Sequence, residues 1–127
     1  MGAKWISRTL IESPYYIALC KTEKDFEREL KRMNIPKNDR PEFITCGANA
    51  TVHTFESGSG KISAIVCITK PKGVSTHQLN SLLVHEAVHI WQWIIKNIGE
   101  TFPSKEFEAY SIQSISQGLM EAYWAKK

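Results

Sequence analysis

The sequence predicts one α+β domain, a small sheet with a backing helix followed by two longer helices that close the chain. Three short runs rich in Ile, Val and aromatic residues, at 15–20, 50–55 and 61–69, have the length and composition of strands. One stretch after the first run and two after the third repeat their apolar residues with the helical period. The chain has 127 residues, which suits a single core. A hydrophobic share of 43% and 23% charged residues, with 7 Gly and 5 Pro, exclude disorder and low-complexity sequence. The net charge of +3 is too small to point to nucleic acid. No apolar run approaches the roughly 20 residues of a membrane span, so no membrane partner is expected.

Met1 to Glu12 is expected to form an extended N-terminal arm, suited to being held by a partner, and it lacks the apolar core of a secretory signal. Tyr15 to Cys20 follows Pro14 and ends at charged residues, as a short strand does. Thr22 then offers a helix N-cap with Asp25 at the third helical position, and Phe26, Leu30 and Met33 share one face before Pro36 stops the helix. The turn formers Pro36, Asn38, Asp39, Pro41, Gly47 and Asn49 mark a connecting loop. Ala50 to Phe55 alternates and Lys61 to Thr69 is rich in Ile and Val, so the intervening Glu56 to Gly60 closes a hairpin. Ser75 and Gln78 form a capping box for a helix that runs to Gly99, about six turns. Pro103 and the N-cap residue Ser104 open the last helix, which runs to Trp124. Cys20, Cys46 and Cys67 are odd in number and form no CxxC pair, which argues for free thiols in a reducing, cytoplasmic compartment.

The long helix contains His85-Glu86-Ala87-Val88-His89. Residues four apart on a helix sit about 40° apart around its axis, so both imidazoles reach one point and Glu86 flanks it: two metal ligands and a base from one turn. Chains of this composition would show the pattern by chance about once in a hundred. Its context strengthens it. Gln78, Ser81, His89, Gln92 and Lys96 all fall within about 40° of His85, a polar stripe on a helix otherwise apolar nearly all round. Such a stripe is expected to face a watery cleft, since unpaired buried polar groups are costly. Glu108, on the last helix, shares its face with Ile112, Ile115 and Leu119, and a carboxylate on a core face calls for a partner or a metal. Glu106 stands about 160° away and is accounted for by the helix macrodipole.

His85, Glu86 and His89 on one helix, with Glu108 nineteen residues beyond His89 on the next, resemble the gluzincins, the thermolysin-like zinc metallopeptidases. The segment Phe107-Glu108-Ala109-Tyr110 is also similar to small metallopeptidase-like proteins of tailed bacteriophages. The resemblance implies a minimal zincin-like fold, with an active-site helix and a C-terminal helix beside the small sheet. It also implies a Zn2+ cofactor held by His85, His89 and Glu108, with Glu86 as the catalytic base. Substrate in that family pairs with a sheet edge, and the strand at Lys61 to Thr69 is the expected edge here. An Asp that often follows the ligand Glu by four residues is replaced by Ile112, so the imidazoles are expected to donate to a main-chain oxygen, Glu56 or Glu12. No separate lower domain fits in the remaining residues.

The function expected is therefore that of a zinc-dependent hydrolase, a metallopeptidase that cleaves peptide bonds with zinc-bound water. Tyr110, His77 and Tyr123 are the candidate oxyanion donors, and His53 is expected to be a sheet-surface residue rather than a ligand. The alternative is a zincin-fold structural or assembly protein, such as a phage virion component, that binds zinc without turnover. Its partner would be a protein assembly rather than a peptide substrate.

Overall fold

The computed structural model describes residues 2–5, 13, 15–56, 62–70 and 72–126. Glu12, most of the expected arm, the hairpin residues after Glu56 and Lys61 lie outside them, while Gly2 to Trp5 are exposed. The elements are β1 (Tyr15–Cys20), α1 (Glu23–Arg32), a 3-10 turn at Lys37–Asp39, β2 (Ala50–Glu56), β3 (Ile62–Ile68), α2 (Thr76–Ile98) and α3 (Lys105–Trp124). The α+β class is as expected. The sheet has the order β1-β3-β2, with β1 parallel and β2 antiparallel to β3.

The central position of β3 corrects the expectation that it is the edge for a substrate strand. Ala64 through Ile68 are all buried, because this strand is apolar on both faces and both faces are covered. Ala64, Val66 and Ile68 pack with Leu79, Leu83, Ala87 and Ile90 of α2 and with Leu119 and Tyr123 of α3. Ile65 and Cys67 point the other way, into a cluster with Cys20, Phe26 and Leu30 beneath α1. Three layers result, with α1 on one side of the sheet and α2 and α3 on the other. The described edges are β1 and β2.

His53 also differs from expectation. It lies on the α1 side, half-buried, with its ring stacked 4.9 Å from that of Phe26 and its Nε2 donating to the Phe43 carbonyl at 3.1 Å. It is a satisfied core histidine, because its strand partners turn that face inward.

Both ends of α2 are specified locally. Ser75 Oγ accepts from the Gln78 amide at 3.1 Å while the Gln78 side chain accepts from the Ser75 amide at 2.8 Å. Gly99 closes the helix at φ 77°, a left-handed conformation that glycine adopts without a Cβ penalty. The far end of α3 is tied down on two sides. Lys21 Nζ donates to the Tyr123 carbonyl at 3.0 Å and lies over its ring, and Trp124 Nε1 donates to Asn80 Oδ1 at 2.8 Å. These contacts fix α3 against β1 and α2.

Three outcomes are expected from this packing. Ser75→Ala removes one acceptor of the capping box and should cost about 1 kcal/mol in urea unfolding; an unchanged midpoint would contradict the cap's contribution. Cys46 is exposed, whereas Cys20 and Cys67 are buried and burial pushes their thiols up to about 11 and about 12. A colorimetric thiol reagent should therefore modify one cysteine quickly in the native chain and all three after denaturation. Above about pH 9 the unfolded chain ionises these two thiols before the folded chain does, so stability should fall as pH rises toward 11 and 12. Thermal melts across that range check the sign.

Candidate metal centre

His85 and His89 sit one turn apart on α2, and their Nε2 atoms meet at 3.1 Å with the rings nearly perpendicular, at 80°. His89 Nδ1 lies 3.1 Å from Gln92 Oε1. An amide oxygen can only accept, so His89 carries its proton on Nδ1 and presents a lone pair at Nε2. The short contact is then a hydrogen bond from His85 Nε2–H to His89 Nε2. To hold a metal, His85 would have to move its proton to Nδ1, so that both Nε2 atoms present lone pairs.

Both histidines are exposed, as are Gln78, Ser81, Gln92 and Lys96. The polar stripe thus faces solvent rather than lining a cleft. The sheet and α3 cover the other sides of α2, and the stripe is the side they leave bare.

Glu86 is turned about 100° from His85 and enters the packed side of the helix. It is 7% exposed, and its carboxylate has no hydrogen-bond or ion-pair partner among the described residues. The residue is buried as a whole, yet Ser116 Oγ is the one buried side-chain polar atom without a partner among the described residues, so the Glu86 oxygens keep contact with water.

Glu108 departs from the sequence expectation in part. Its phase on α3 is the inward one, shared with half-buried Ile112 and Ile115 and buried Leu119, yet Glu108 itself is exposed. Glu108 Oε2 accepts from the indole Nε1 of Trp91 at 3.1 Å. Trp91 projects from α2 about 120° from His85 and 160° from His89, so this bond holds the carboxylate away from the histidines. Accordingly, no group of three His, Cys, Asp or Glu side chains close enough to hold a metal occurs among the described residues. Glu108 does line one groove of about 390 Å³ together with Gln92, the residue that holds His89. Glu106 is exposed in the same first turn.

The oxyanion candidates are dispersed. Tyr110 is 66% exposed on a side of α3 turned away from Glu108. Tyr123 is buried in the core, and His77 is exposed in the first turn of α2, about 12 Å along the axis from His85. None of the three has a hydrogen bond or ring contact with either histidine. Glu56 ends β2 opposite Ile62, and the partner found for His89 is instead Gln92, from its own helix. The i,i+3 spacing of His89 and Gln92 was the available signal for that contact. Nothing comparable in the sequence pairs Trp91 with Glu108, seventeen residues apart and on different helices.

No protein-family profile, curated protein or solved structure matches the chain.

Because the Glu86 oxygens keep contact with water, Glu86→Gln, which removes the charge and keeps the shape, should change stability by less than about 0.5 kcal/mol. Urea unfolding of the two proteins reads this directly, and a lowered midpoint would mean that the carboxylate is held by a favourable interaction.

Proposed function

We propose that this chain is a zinc-dependent hydrolase acting on peptides. The observation that carries the reading is the 3.1 Å approach of His85 Nε2 and His89 Nε2 on one helical turn, with buried Glu86 between them in sequence. His85 and His89 would hold the metal, and Glu108 would be the third ligand, drawn from the next helix. Zinc with three protein ligands supplies a Lewis acid and a water acidified toward neutral pH. Glu86 serves as the base because no neighbouring cation or hydrogen-bond donor competes for its carboxylate. Its oxygens would accept a proton from the attacking water and pass it to the departing amine. The polar stripe of α2 gives an extended substrate open access to the pair, and Gln78 and Ser81 lie along its path on the N-terminal side.

A second reading, a zincin-fold assembly protein that holds zinc without turnover, is favoured by the exposure of both histidines and by the Trp91 bond that occupies Glu108. One set of variants separates the two. The parental chain should bind about one zinc, and His85→Ala and His89→Ala should each abolish it. Glu108→Gln should weaken binding strongly while Glu106→Gln leaves it near parental. Glu86→Gln should keep zinc and fold but lose nearly all cleavage in a peptide-library assay. Zinc binding with no cleavage by the parental chain would support the assembly reading, and no zinc binding in zinc-replete solution would refute both.

A further inference from the structure

We infer that the end of the molecule at which β1 and β3 both finish is a docking surface for single-stranded nucleic acid, with lysines meeting its phosphates and the exposed face of Trp124 stacking on a base. The inference is independent of the zinc reading.

β1 and β3 run parallel with Cys20 opposite Cys67, so the residues that follow them emerge side by side. Lys21 and, in the first turn of α1, Lys24 follow β1, while Lys70 and Lys72 follow β3. The last helix ends at the same place: Lys21 Nζ donates to the Tyr123 carbonyl at 3.0 Å, and Lys126 lies three residues further on. All five lysines are exposed, and none forms an ion pair among the described residues.

The net charge of +3 conceals this end because the offsetting acids lie elsewhere or are engaged. No Asp or Glu occurs between Glu56 and Glu86, the stretch that carries Lys70 and Lys72. Asp25 is paired with Arg28 at 3.5 Å, and Glu121 accepts from Gln117 at 2.9 Å. Among the described residues of these segments, Glu23 is then the one acid left to oppose the five lysines. Like charges gathered at one end with so little compensation repel one another, and a polyanion relieves that repulsion.

Charge alone would suit any polyanion, and Trp124 narrows the choice. Its indole is 43% exposed, yet Nε1–H donates to Asn80 Oδ1 at 2.8 Å and the ring meets that of Tyr123 edge-on at 4.8 Å. A ring fixed in this way cannot plunge into a bilayer, and it offers nothing to the carboxylates of an acidic peptide. It does offer a flat, ordered face on which an unpaired base stacks at little entropic cost. His77 is exposed one turn before Asn80 on the same side of α2 and adds a second planar ring to this end.

Fluorescence anisotropy of a labelled oligothymidylate of about 15 nucleotides tests the inference at low salt. Binding is expected, with the logarithm of the association constant falling against that of salt with a slope of about −2 to −3.5, as about three to five phosphate contacts on a single strand require. The double variant Lys70→Gln, Lys72→Gln should make that slope shallower by about 1.4, whereas Lys31→Gln, Lys37→Gln, at and beyond the other end of α1, should leave it unchanged. Trp124→Leu should weaken binding about 5–150-fold without altering the slope. Should Trp124→Leu fail to fold, the Trp124 indole N–H resonance of the parental chain serves instead and should shift on addition of the oligonucleotide. No binding at low salt, a parental slope in Lys70→Gln, Lys72→Gln, or equal affinity for polyglutamate or phosphatidylserine vesicles at the same salt would overturn the inference.

Discussion

The burial of β3 on both faces requires cover from both sides, and α2, the longest helix, provides most of it on one side. Leu79, Leu83, Ala87 and Ile90 meet the sheet and α3, so the angular position of every other residue on α2 is set by that contact. His85 and His89 fall on the bare side, and Glu86 falls on the margin of the core. The exposure of the two imidazoles and the burial of Glu86 are therefore consequences of one packing arrangement. A rotation of α2 by one residue that carried His85 and His89 into the places of Glu86 and Ile90 would bury both.

Glu86 marks the edge of that arrangement: its stem is packed, while its oxygens, with no protein partner among the described residues, keep contact with water. Glu108 presents the opposite case. It lies in water yet is held to a buried indole, an ordered position for a side chain that would otherwise sample many rotamers.

Much of the fold was legible because its signals are local. Thr22, Ser75, Gly99 and Ser104 mark helix ends by their own side chains or conformations, and each acts at the expected place. The i,i+4 convergence of His85 and His89 is likewise a property of one helix. What the sequence left illegible depends on contacts between elements. The apolar run of β3 signals burial on two faces, but its place between β1 and β2 follows from the parallel pairing with β1, which no short-range pattern encodes. His53 was misplaced because its cover comes from Phe26 and Phe43, outside its hairpin. For Glu108 the expected burial fails, and the partner it does have, Trp91, stands seventeen residues away on another helix.

The close pair of His85 and His89 and the free state of the three cysteines lead us to propose a nitrogen chelate for zinc without sulfur. X-ray absorption at the zinc edge of the metal-loaded chain reads the ligands, and the expected result is two imidazole nitrogens at about 2.0–2.1 Å with the remaining positions filled by oxygen. A sulfur shell near 2.3 Å, or a spectrum left unchanged by His85→Ala, would contradict it.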